Sequence, residues 1–239
     1  MDLSDVVIRW SPAGRTELLT PAGVLVVLAL TAVAVGWAPA WRVLRLAVTL
    51  VHELGHAGAG VAVGRRFTGF VLRRDMSGHA VTVGRPKGPG MVATTWAGYP
   101  VPAVVGALLV LAGARGWAAP LLTLTLLLLL VALLYVRSLL TLAVVLAALA
   151  AAGAMWWWRD DRVQQHVVVG VGLLLLVGAW RHLGAVLGRR DPRSDAGALA
   201  RLTGLPSALW LGSFVLVCAG ATWLAVSELI AAWGRASPS

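Results

Sequence analysis

Apolar runs of about twenty residues, the length a bilayer demands of a crossing helix, recur along almost the whole chain. Lipid offers the backbone no hydrogen-bond partner, so such runs cross a membrane only as helices that satisfy their own amides. The chain is therefore expected to be an all-α polytopic membrane protein of about six to seven transmembrane helices. The runs lie at 22–41, 43–64, 91–113, 118–136, 138–158, 163–187 and 205–233. Gly98-Tyr99-Pro100-Val101-Pro102 interrupts the third, and a broken helix is tolerated at membrane depth where it is buried in protein or lines a cavity.

Between the second and third runs, Arg65 to Leu72 and His79 to Val83 have strand composition around the turn residues Arg73 to Gly78, which predicts a small β-hairpin after the second helix. With 59% hydrophobic against 13% charged residues, no polar stretch is long enough for a second domain. Residues 1–239 are expected to form a single integral membrane domain, with a leader at 1–20, the hairpin loop at 65–90 and a polar loop at 188–204. Asp2 and Asp5 stand where a cleavable signal would carry basic residues.

The formal charge of +10 does not point to nucleic acid, because the basic residues fall between apolar runs rather than among aromatics on one face. The partners expected are the lipid bilayer and a transmembrane or membrane-associated protein substrate. Seven crossings would put fourteen of the twenty Lys and Arg on the side holding the N-terminus, the hairpin, Arg137 and the 181–201 loop, which the positive-inside rule assigns to the cytoplasm. Tryptophans near the run ends (Trp37, Trp41, Trp117, Trp156 to Trp158, Trp233) fit an interfacial belt. The lone Cys218 reads as a small buried hydrophobe. The absence of Asn and the single Lys suggest a GC-rich bacterial source and hence a bacterial cell membrane.

Inside the second run stands His52-Glu53-Leu54-Gly55-His56. On a helix, residues four apart share a face, so the two imidazoles can hold one Zn2+ while Glu53 serves as general base toward a water. With five His and three Glu in the chain, chance supplies such an H-E-x-x-H about 0.001 times. An ionisable cluster within an apolar run is functional by default.

A catalytic zinc usually takes three protein ligands. Asp75, His79, His166, His182, Asp191, Asp195 and Glu228 are the candidates for the third. Asp75 and His79 fall at the hairpin turn, His166 and His182 near run ends, and Glu228 far along the last run. Asp195 follows a helix-start signal, Asp191-Pro192-Arg193-Ser194. It could equally neutralise a helix N-terminus, which favours an acid by a few tenths to ~1 kcal/mol. A zinc-binding, non-proteolytic membrane protein, such as a transporter or a degenerate scaffold, is the alternative class. The scarcity of intramembrane acids speaks against transport.

The motif with its glycine-rich helix and hairpin resembles the site-2-protease-type intramembrane zinc metallopeptidases. The stretch from Ser194 to Trp210 is similar to the corresponding segment of a compact branch of that group. The resemblance implies that His52, His56 and Asp195 ligate Zn2+, that Glu53 is the catalytic base, and that the reaction is cleavage of a membrane-protein substrate within or near the bilayer. Better-studied members carry L-D-G at the third ligand, where this chain has Ser194-Asp195-Ala196. They also carry an Asn in a Gly-Pro segment, and this chain has no Asn. An oxyanion donor would have to be Tyr99, Ser138, an Arg or a backbone N–H. One geometric tension remains. If the second run crosses the membrane, His52 lies ~18 Å along it from its hairpin end, whereas Asp195 lies in a polar loop.

Overall fold

The computed structural model describes residues 7, 9–14, 19–75, 77–188 and 191–235. Most of the leader, the turn residue Met76 and the tail after Arg235 lie outside them. Nine helices and one hairpin follow in order among the described elements: α1 (Pro21–Gly36), α2 (Ala38–Ala62), β1 (Arg66–Leu72), β2 (Gly78–Val83), α3 (Pro89–Trp96), α4 (Pro100–Ala114), α5 (Ala118–Leu133), α6 (Leu139–Trp157), α7 (Asp161–Leu187), α8 (Asp195–Thr203) and α9 (Ser207–Arg235).

The helix boundaries follow local chemistry. Thr20 caps α1 by accepting from the Gly23 N–H at 3.1 Å, and Pro21 begins the helix where its missing N–H costs nothing. Ser138 and Asp160 cap α6 and α7 in the same way. The Gly98-Tyr99-Pro100 break separates α3 from α4 with a bend of 57°.

Six helices run between two ends of the molecule. One end holds the starts of α4, α6 and α9, the finishes of α1, α5 and α7, and the hairpin. The other holds the Gly116 turn, the Trp158–Asp160 turn and the finish of α9. Small residues let the central pair, α4 and α7, approach closely: a Cβ at Gly106 would lie 2.6 Å from the Gly172 carbonyl oxygen. Val110, Val169, Leu183, Phe214 and Cys218 fill this core.

By length and composition α6, α7 and α9 can each cross a membrane, and up to five spans result if each bent pair counts as one. The 16-residue α5 is a further, shorter apolar helix, which ends early because Tyr135 to Arg137 leave it to pair with β1. The whole is in keeping with the all-α membrane protein expected, although α2 does not run back alongside α1.

α1 and α2 meet at a bend of 100°, with Pro39 in the first turn of α2. α1 runs parallel to α7: Gly23 abuts His166 near the start of α7, and the Val35 carbonyl accepts from Arg181 near its finish at 2.9 Å. α2 then lies across the hairpin half of α4 and α7. Trp41 carries the Arg181 guanidinium over its ring at 4.3 Å, Val48 seats against Gly178, Gly55 against Val101, and Gly60 against Thr82. Trp41 is therefore buried under α7 rather than interfacial.

The described leader residues pack at the end remote from the hairpin. Arg9 lies over the Trp156 ring at 4.8 Å, Arg159 donates to the Ser11 carbonyl at 3.3 Å, and the Ala13 N–H donates to the Gly116 carbonyl at 2.8 Å. These partners all belong to the end remote from the hairpin. The described leader residues and the hairpin therefore sit at opposite ends, because α1 alone, and not α1 followed by α2, makes the passage.

The hairpin forms where expected. β1 and β2 pair antiparallel from Arg66 opposite Val83 to Leu72 opposite Gly78, with a bulge between Phe67 and Gly69. Asp75 closes the turn by accepting from the Ser77 N–H at 3.0 Å and hydroxyl at 2.7 Å, which holds its exposed carboxyl below the usual range. On its other edge β1 bridges to Val136: the Phe70 N–H donates to the Tyr135 carbonyl and the Arg137 N–H to the Phe70 carbonyl.

Candidate metal centre

The motif lies on α2, beyond Arg42, Arg45 and Thr49. The i, i+4 spacing brings His52 and His56 together, with their Nε2 atoms 3.2 Å apart and their rings edge to face at 4.8 Å. The His56 Nδ1 lies 2.7 Å from the Thr94 carbonyl on α3. With the proton on Nδ1 it donates there, which fixes the ring and turns the Nε2 lone pair toward His52.

Asp195 arrives from α8. Its neighbour Ser194 does the capping, accepting from the Gly197 N–H at 3.2 Å, so the Asp195 carboxylate is released from that task. Ala196 and Leu199 bury the inner face of α8 against the core. This seats Asp195 Oδ2 3.3 Å from His52 Nε2 and 3.3 Å from His56 Nε2. Burial opposes ionisation of this carboxyl, but the two imidazoles beside it prevail and hold it well below the usual carboxylate range.

The three atoms form a near-equilateral triangle of 3.2, 3.3 and 3.3 Å. A tetrahedral ion with bonds of ~2.0–2.1 Å sets its ligands ~3.3 Å apart. Asp195 Oδ2 is buried and has no hydrogen-bond donor in acceptable geometry. Three convergent acceptors without a shared donor are what a cation requires, so the donor set fits Zn2+. Among the described residues this is the only group of three His, Cys, Asp or Glu side chains so arranged.

The tension over depth disappears with the crossing of α2. Because α2 lies across the hairpin end, its midpoint and the start of α8 share one level. The other third-ligand candidates are engaged elsewhere. Asp75 closes the hairpin turn and His79 is exposed on β2. Asp191 accepts from the Arg193 N–H, His166 Nδ1 contacts the Arg162 carbonyl, and Glu228 pairs with Arg115 and Arg235 at the remote end. His182 lies near the centre but outside the triangle.

Glu53 projects from α2 beside the histidines and is only 4% exposed. A Cβ at Gly78, the first residue of β2, would collide with its carboxylate. A Cβ at Gly98 would lie 2.5 Å from the His56 ring and 2.7 Å from Asp195 Oδ2. Both glycines thus clear space for the site, a role their turn and helix-break signals did not disclose. A cavity of about 260 Å³ opens on the centre, lined by His52, Glu53, Tyr99, His182, Arg193 and Asp195 among others. Ser138, a possible oxyanion donor from the sequence, is instead committed at the α6 cap, where its hydroxyl meets Thr141 and the Leu72 carbonyl. Tyr99 stacks edge to face on His52 at 5.0 Å and does face the cavity.

The arrangement offers a divalent-cation seat, a carboxylate beside it and a semi-enclosed cavity with polar walls. A family model described as Peptidase M50B-like matches residues 24–225, a span that takes in the motif, the hairpin and α8. No curated protein and no solved structure matches the chain.

Proposed function

From the premise that the chain belongs to the Peptidase M50B-like family, the site-2-protease family, and is thus an integral membrane protein of metallopeptidase type, we propose that it is a zinc-dependent intramembrane endopeptidase. Its substrates in this reading are transmembrane or membrane-associated proteins. The observation that carries the reading is the triangle of His52, His56 and Asp195 acceptors with Glu53 buried beside it.

A zinc ion held by His52, His56 and Asp195 would polarise the scissile carbonyl and make water acidic enough to deprotonate near neutral pH. Glu53 takes the proton from the attacking water and passes it to the leaving amine. The His56 contact with Thr94 keeps Nε2 free for the ion. Among the described residues, Tyr135 to Arg137 occupy the second edge of β1, so the strand edge left for an extended substrate is that of β2. Main-chain pairing there needs no particular substrate sequence, and it would lay the peptide next to Gly78 and hence next to Glu53.

The hairpin end is assigned to the cytoplasm of a bacterial cell membrane. Moving the leader to the opposite end exchanges its arginines for Arg42 and Arg45, so the basic excess stays with the hairpin. The testing experiment is Glu53→Gln. The variant should keep its zinc and lose cleavage of a reconstituted membrane substrate by ~10²–10⁴-fold. Cleavage at the wild-type rate would overturn the proposal.

A further inference from the structure

Where α2 passes under the finish of α7, two basic side chains have buried nitrogens that no described residue satisfies. Arg45, Val48 and His52 lie on one stripe of α2. Val48 seats against Gly178, and His182, one turn further along α7, has Arg45 and His52 as its charged neighbours. The His182 Nε2 and the Arg45 Nε are both buried, and neither has a hydrogen-bond partner among the described residues. A buried polar group left unmatched costs ~1–3 kcal/mol, so each of these nitrogens marks a place where a partner is missing. The His182 ring also lines the cavity that holds His52, Glu53 and Asp195. It lies outside the ligand triangle, so it is free to act on what the cavity binds.

We propose that His182 is the oxyanion donor of this site, with the Arg45 guanidinium behind it. With its proton on Nε2, the imidazole donates a hydrogen bond to the carbonyl oxygen of the scissile peptide as negative charge builds there, and Arg45 adds positive potential from the α2 side. A fixed donor aimed at a developing oxyanion in a water-poor pocket lowers the barrier more than it tightens substrate binding. The chain contains no Asn, and Ser138 is committed to its cap, so this position supplies what those residues do not. The inference rests on the peptidase reading above.

The test uses the full-length, zinc-loaded protein in detergent, with zinc content and inhibitor affinity as readouts. A phosphinic peptide carries a tetrahedral oxyanion and needs the donor, whereas acetohydroxamate binds the metal without presenting one. His182→Ala should retain wild-type zinc and wild-type acetohydroxamate affinity, yet bind the phosphinic peptide at least ~10-fold more weakly. His182→Gln, which keeps a side-chain donor, should recover most of that loss. Unchanged phosphinic-peptide affinity in His182→Ala overturns the assignment, as does loss of zinc from that variant, which would make His182 part of the metal seat. A loss seen in Tyr99→Phe and absent from His182→Ala overturns it in favour of the tyrosine. A wild-type protein that holds zinc but binds neither compound fails the peptidase reading itself.

Discussion

Asp195 Oδ2 stands 3.3 Å from His56 Nε2, although α2 and α8 are separated by most of the chain. Two structural details create that contact. Ser194 takes over the capping of α8, and α2 lies across the hairpin end, where α8 can reach it.

If the contact is a metal seat, its three members are not equivalent to their neighbours. The wild-type protein should bind one zinc per chain. His52→Ala, His56→Ala and Asp195→Ala should each weaken zinc by more than ~100-fold, the upper size for loss of an outer-shell partner alone. Metal analysis after dialysis against a graded chelator reads this directly. Asp195→Ala with full zinc would remove Asp195 from the ligand set.

Ser194→Ala tests how Asp195 is presented. Removing the cap should cost ~1 kcal/mol of stability and loosen the first turn of α8. Zinc affinity should fall with it, by less than in Asp195→Ala. A variant with lowered thermal stability and unchanged zinc affinity would show that the cap does not position the carboxylate.

The two site glycines should separate metal binding from proton transfer. A methyl group at Gly98 enters the space of His56 and Asp195, so Gly98→Ala should lose zinc affinity by ~10-fold or more. The three atoms nearest a methyl group at Gly78 all belong to Glu53, so Gly78→Ala should keep zinc and lower kcat. Identical zinc and kcat profiles for the two variants would contradict this division.

At the remote end, Glu228 is 3% exposed and held by Arg115 at 2.7 Å and Arg235 at 2.8 Å. Arg115→Ala leaves a buried carboxylate short of its main partner and should cost ~1.5–3 kcal/mol. Glu228→Gln removes the charge and leaves the half-exposed arginines to water, so it should cost less. Thermal unfolding in detergent gives the order, and the reverse order would mean that the arginines are satisfied without Glu228.

Much of this was legible in the chain itself. His52, Glu53 and His56 share a helical face through their spacing alone. The apolar runs, the Gly98-Tyr99-Pro100 break and the hairpin follow from local backbone chemistry, because helix, break and turn are each decided within a few residues. The direction of α2 was not legible. An apolar run of spanning length reads as a crossing, and only packing of Trp41, Val48 and Gly55 against α7 and α4 turns it across the bundle end. That turn decided which end carries the leader, resolved the depth of His52 against Asp195, and brought Arg45 beneath His182. Sequence spacing sets which side chains share a face of one helix. Which faces of different helices meet depends on long-range packing, and in this protein the third acceptor, the space around Glu53 and the unsatisfied nitrogens at His182 and Arg45 all come from such meetings.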